Sequence, residues 1–188
     1  MELNINDTVI YGATICTLTE IAKRDFGGGS QHYYILKPIF DVKTTIYAPI
    51  GNPATADKMR RLLSREEIYA LIDAMPDEDV AWIDDDTLRR ASCKEILSGG
   101  DRTELAGLIK TLYLRSRELA DGGIGTKSRK LHAIDGQFLK DAERMLYQEF
   151  AYVLKIEPEE VLAFIDKRIA LKELAARDAE FDGETRPD

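Results

Sequence analysis

The residues here that can do more than pack are few: two histidines, two cysteines, a run of three aspartates, a glycine triplet and scattered basic pairs. His32 and His132 stand far apart, and neither sits in a His-x-x-x-His or Cys-x-x-Cys arrangement that would converge on a metal. Each is expected to be a polar side chain facing water or a local cap. Cys16 and Cys93 cannot build a zinc site unaided and fall in segments of different character, so neither a metal nor a disulfide framework is expected. Asp84, Asp85 and Asp86 have the oxygens for a magnesium ion, but consecutive side chains on a helix diverge by about 100° and rarely share one ion. Capping and contact with water suit them better. Gly27-Gly28-Gly29-Ser30 lacks the Lys-Ser/Thr and the following helix of a phosphate loop, and reads as a flexible hairpin connection. With no Gly-x-Ser-x-Gly elbow and no supported Ser-x-x-Lys segment, the chain reads as a non-enzyme with no cofactor and no small-molecule substrate.

What these residue types do offer is contact with other macromolecules. Arg89-Arg90, Arg115 and Arg117, and Lys127, Arg129 and Lys130 cluster near helix ends or loops, where they can reach phosphates. A formal net charge of -8, from 26 basic and 34 acidic residues, argues against a general binder of DNA or RNA, so any such contact has to be local. Trp82 has the shape of a minor-groove wedge or a protein hot spot, but acids surround it, and packing against a neighbouring helix is its leading role. Among the β-rich runs, alternation sets Thr45 and Tyr47 opposite Ile46, giving one apolar and one mixed face; an exposed edge there can take a partner strand.

The elements that must position these residues change character between Pro49 and Pro53. Before that point Thr8–Tyr11, Ile15–Ile21, Tyr33–Lys37 and Thr44–Pro49 are short runs rich in Val, Ile, Thr and Tyr, bounded by turn residues. They predict a strongly bent sheet or small barrel. Beyond it the periodicity is helical. Ser64 with Glu67 forms a capping box, Pro76 ends that helix, and Thr87 to Leu97 makes another, stopped at Gly99-Gly100. Asp101 caps the helix of TELAGLIKTLYLRSRELA; a long helix runs from about Ile134 to Leu154, and Pro158 opens the last. The acidic stretch Asp77–Asp86 reads as a connection between modules. The expected organisation is α+β: a β domain over residues 1–55, a bundle of about five helices over 56–172, and a charged, partly disordered tail over 173–188. The start MELNINDTV has no basic lead into an apolar stretch, and no run is long enough to span a bilayer, so a cytoplasmic protein is expected.

In this order the segments resemble the CarD-like family of bacterial transcription regulators, also called the CarD/CdnL group. INDTVIYG, HYYILKP and TTIYAP match its small β domain; LSGGDRTELAGLIKTLYLRSREL and RKLHAIDGQFLKDAERMLYQEFAYVLKI match its helical part. The resemblance covers about residues 1–169. It implies a Tudor-like or SH3-like N-terminal barrel that binds the β subunit of RNA polymerase. It also implies a helical domain lying on promoter DNA at the upstream edge of the melted region, which stabilises the open complex. Carried onto this chain, Thr45, Ile46, Tyr47 and Ala48 lie on the polymerase-facing strand, and Lys23 and Arg24 at the hairpin beside it. Trp82, Arg89, Arg90, Arg129 and Lys130 fall at the DNA-facing positions.

The sequence departs from the family at informative places. Members commonly carry a basic residue where Tyr47 stands, and a tryptophan followed closely by two arginines, whereas here Asp84 to Asp86 intervene before Arg89-Arg90. His132 occupies a position where Ser or Thr often caps the long helix. The expected function is a transcription regulator without enzymatic activity, tethered to polymerase and making weak, non-sequence-specific contact with promoter DNA. A polymerase-associated adaptor without productive DNA contact is the competing expectation.

Overall fold

A computed structural model of the chain describes residues 3–77, 81–121 and 130–184; for residues 77 and 176–184 it describes the backbone alone. The chain forms two compact units, Met1–Leu62 and Leu63–Asp188.

The first unit is a five-stranded antiparallel sheet: β1 (Thr8–Tyr11), β2 (Thr14–Asp25), β3 (Ser30–Pro38), β4 (Ile46–Pro49) and β5 (Met59–Arg60), with a short helix α1 (Pro53–Lys58) before β5. Strand order is β4-β3-β2-β1-β5, so the sheet is open, with β4 and β5 at its edges rather than joined into a barrel. Gly12, at φ 61, supplies the left-handed turn between β1 and β2. β2 and β3 pair from Cys16↔Pro38 to Asp25↔Ser30, interrupted by a bulge between Leu18 and Glu20, where the Thr19 hydroxyl donates to the Ile35 carbonyl at 3.0 Å. Val9, Cys16, Leu18, Leu36 and Ala48 are buried on one face with Ile46 and Met59 against them. Burial of Leu18 and Leu36 contributes about 1.5–3 kcal/mol each. The unit extends to Leu62 and not to residue 55, because Asn52 caps α1 through Ala54 N and the chain then returns to pair Met59 and Arg60 with Tyr11 and Ile10.

The second unit holds helices α2 (Arg65–Ala74), α3 (Asp86–Gly99), α4 (Arg102–Ala120), α5 (Ala133–Leu154) and α6 (Val161–Glu184). The Ser64 capping box is complete: Ser64 Oγ accepts from Glu67 N, and the Glu67 carboxylate accepts from Ser64 N. Asp85 and Asp101 cap α3 and α4, each accepting from two backbone N–H groups, and Gly100 in the left-handed conformation ends α3. Two apolar clusters hold the helices. Ile68, Ile72, Leu146, Phe150, Val161 and Ile165 join α2, α5 and α6. Cys93, Leu105, Leu108, Leu112, Phe138 and Ala142 join α3, α4 and α5. The described ends of the acidic stretch, Asp77 and residues 81–86, therefore belong to this unit rather than joining the two, since α2 on the N-terminal side is built into the helical core. The tail expected beyond residue 173 continues as α6 to Glu184. Among the described residues no helix is long and apolar enough to cross a membrane.

Candidate macromolecular interfaces

β4 is an edge strand, and its pairing decides what it can offer. Ile50 N donates to the His32 carbonyl at 2.9 Å, and alternation along the β3–β4 register makes Ala48 with Tyr34 and Ile46 with Leu36 the inward-bonded pairs. The backbone N–H and C=O of Tyr47 therefore point away from the sheet, and Pro49, which has no N–H, ends the run. The side chains divide in the same way. Ile46 and Ala48 enter the core, whereas Tyr47 is 43% exposed on the opposite face. Ala48 is 0% exposed and bonded inward, so it leaves the set of surface contacts; its place in the core is why.

Beside Tyr47 the fold assembles an aromatic group. The Phe26 ring, from the β2–β3 turn, meets Tyr33 and Tyr47 edge to face, each at 5.2 Å between centroids. Tyr33 is buried and accepts a hydrogen bond from Gln31 Nε2 at its hydroxyl, which fixes the base of the group, while Phe26 is 62% exposed. Gly27 and Gly29, at φ 93 and 96, let the turn close, and Gly27 N donates to Asp25 Oδ1 at 2.8 Å. Lys23 and Arg24 are both exposed in this hairpin. Their register opposite His32 and Gln31 sends them to opposite faces: Arg24 shares the face of Tyr33, and Lys23 does not. Arg24 also binds Glu20 at 3.1 Å. Thr45 is half-buried and accepts from Lys37 Nζ at 2.7 Å. The turn leading into β4 is tied by Asp41, which accepts from the Thr44 hydroxyl and Lys43 N; those bonds hold its carboxyl below the usual range. This turn leaves Phe40 and Val42 exposed.

The positions expected to face DNA separate. Arg89 is 4% exposed: it donates from Nε and Nη2 to buried Asp135, from Nη2 to Asp86, and from Nη1 to the carbonyls of Ile83 and Asp84. These partners consume its donors, so Arg89 is corrected from a phosphate contact to an internal tie, and its pKa is raised by Asp135 first. Burial opposes that rise, and Asp86 adds to it. Arg90 is about half-exposed, 3.8 Å from Asp86. Lys130 is exposed. Trp82 packs partly buried against the α3–α4–α5 cluster, with the Arg89 guanidinium 4.4 Å and the Arg115 guanidinium 5.1 Å from its ring. A cleft of about 540 Å³ is lined by Trp82, Arg115, Lys130 and His132, with Asp84 and Asp86 on its wall. Arg129 and Lys127 lie outside the described residues.

The aspartate run divides its labour without converging on an ion. Asp85 caps α3, Asp86 binds Arg89 and Arg90, and Asp84 lends its carbonyl. No cluster of metal-ligating side chains occurs among the described residues. His132 holds the N-cap position of α5 but makes no side-chain cap bond. Phe26 lies outside the residues that the sequence singles out, although a lone aromatic directly before three glycines is a signal: the turn itself has no use for it. Comparison with protein-family models and with curated protein sequences returns no match for the chain.

Proposed function

We propose that the chain is a CarD-like regulator of bacterial transcription, whose sheet unit stands for the Tudor-like module and binds the RNA polymerase β subunit along β4. The observation that carries this reading is the unpaired outer edge at Tyr47, in the segment TTIYAP whose counterpart in that family faces polymerase. Strand addition at such an edge supplies backbone hydrogen bonds without requiring a charged surface, which suits an acidic protein. The helical unit then engages promoter DNA through Arg90 and Lys130, which are exposed, and through the Trp82 cleft. Tethering raises the local concentration of DNA, so a few phosphate contacts suffice.

The test is equilibrium binding of the full chain to bacterial core polymerase and to its isolated β subunit. Saturable binding to both, lost when Tyr47 is replaced by Pro to remove the outward N–H, is the expected result. No binding to either would sink the proposal. The adaptor reading, with polymerase bound and DNA untouched, is favoured by the Asp84 and Asp86 carboxylates on the wall of the cleft. It is distinguished by promoter footprints with and without Arg90→Ala and Lys130→Ala.

A further inference from the structure

The edge of β4 is too short to hold a partner by backbone alone. Between Thr45 and the closing Pro49 the outward groups amount to those of Tyr47 and its near neighbours, and a net backbone hydrogen bond contributes only about 0.5–1.5 kcal/mol. A stable complex needs a side-chain anchor on the same face. The charged side chains of that face are poorly placed to supply it: Arg24 is engaged with Glu20, Lys37 with Thr45, and Lys23 points to the other side. The aromatic group is well placed. Phe26 stands 62% exposed, yet its ring is fixed by edge-to-face contacts with Tyr33 and Tyr47, so little freedom remains to be lost on binding. Exposed aromatics held rigid beside an open edge are the composition of a binding hot spot.

We infer that Phe26 and Tyr47 form an apolar anchor that takes an apolar side chain from a strand of the polymerase β subunit, in place of an ion pair. This rests on the proposed polymerase binding and names the chemistry of that contact. Phe26 is the specificity-determining residue: it belongs to no strand pairing of the fold, and solvent is its main neighbour until a partner arrives. Polar groups lie on the same face of the sheet: Gln31, which donates to the Tyr33 hydroxyl, and the bonded pair Lys37 and Thr45 further along β3 and β4.

The experiment measures affinity of the full chain for bacterial core polymerase by titration at about 0.1 M and about 0.5 M NaCl, a range over which exposed ion pairs are largely screened. Phe26→Ala and Tyr47→Ala are each expected to weaken binding about tenfold or more, and Tyr47→Phe and Lys23→Ala less than about threefold. The wild-type constant should change by less than about threefold between the two salts. Circular dichroism on each variant checks that the sheet persists; Phe26→Leu, which keeps apolar area, should retain most of the affinity. Wild-type binding that ignores Phe26→Ala, or that collapses with salt, overturns the apolar anchor while leaving polymerase binding intact. Failure of the wild type to bind overturns both. A concentration-dependent dimer abolished by Phe26→Ala would assign the anchor to a second copy of the chain and overturn the choice of partner.

Discussion

The Arg89 guanidinium meets Asp135 with two donors, Nε at 3.3 Å from one carboxylate oxygen and Nη2 at 3.1 Å from the other, across 46 positions of sequence. Both side chains are buried, at 5% and 0% exposure. The pair ties the start of α3 to the first turn of α5, and through Nη1 it gathers the Ile83 and Asp84 carbonyls ahead of α3. Trp82 then lies on the Arg89 guanidinium, so the position of the indole depends on a buried ion pair.

Removing one partner leaves the other charge buried and unpaired. Arg89→Ala and Asp135→Ala are each expected to destabilise the helical unit by about 3–5 kcal/mol, whereas Arg90→Ala, at an exposed pair, should cost less than about 1 kcal/mol. Urea unfolding followed by the emission of Trp82, the single tryptophan, checks this. The double change Arg89→Met with Asp135→Leu should recover much of the loss, because it removes both charges together. Equal, small effects from Arg89→Ala and Arg90→Ala would show that Arg89 is solvated in solution.

Acid should weaken the same region. The hydrogen bond from Arg89 holds the Asp86 carboxyl below its ordinary range, with smaller help from the charges of Arg89, His132 and Arg90. A depressed folded-state pKa means that the stabilisation is present above the ordinary carboxylate value and drains away as pH falls through the lower, folded one. In a series of unfolding measurements Asp86→Asn should flatten that acid limb and leave stability near pH 7 to 8 insensitive to pH. An unchanged acid limb would assign the loss to other carboxylates.

The local signals in the sequence were sufficient for much of this architecture. Thr8–Tyr11 reads as a strand and is β1; Ser64 with Glu67, and Asp101, read as helix starts and cap α2 and α4. These features depend on neighbours within four positions. What escaped depends on distant ones. β5 is two residues that become a strand only because β1 is there to pair with them, and openness of the sheet is decided by whether its edges meet. Arg89 looks like a surface base until Asp135 is brought beneath it. A faint trace was present: Asp135 and Glu149 fall on the inward stripe of α5 with Phe138, Ala142 and Leu146, where a lone acid has to find a cation. Glu149 finds Arg102, at 3.0 and 3.1 Å, and accepts from Leu63 N at 2.8 Å.

The cysteines offer a check on the packing of each unit separately. Cys16 lies in the sheet core and burial pushes its thiol up to about 11; Cys93 lies among α3, α4 and α5 and burial raises it as well. Neither should react with a thiol reagent at about pH 8 in the native protein, and both should react at once in denaturant. For Cys16 the sign runs opposite to Asp86: its contribution is complete below the unfolded thiol value and is lost as pH climbs towards about 11. Selective labelling of Cys93 in the native chain would mean that a second cavity, between α3 and α4 and lined by Trp82, Ser92, Cys93 and Ile96, opens.

The proposed contact with DNA falls to the residues that burial has left available. Arg90 and Lys130 are exposed, and Arg115 stands on the Trp82 ring with Glu118 at 3.0 Å. If Arg90 and Lys130 each meet a phosphate, removing either should lower the lifetime of the polymerase–promoter open complex by about three- to tenfold and reduce its dependence on salt by about one ion. Polymerase affinity should stay within twofold, about the error of such titrations, because the β4 edge lies in the other unit. Arg89→Ala is unsuitable for this purpose, since it loosens α3 and Trp82 together. Trp82→Phe is better: it retains an aromatic ring for Arg89 and Arg115 to stack on while removing the indole that would wedge between bases. A lifetime that falls with Trp82→Phe at unchanged stability places the indole on DNA, whereas lifetimes unmoved by Arg90→Ala, Lys130→Ala and Trp82→Phe leave the helical unit without a DNA role and select the adaptor.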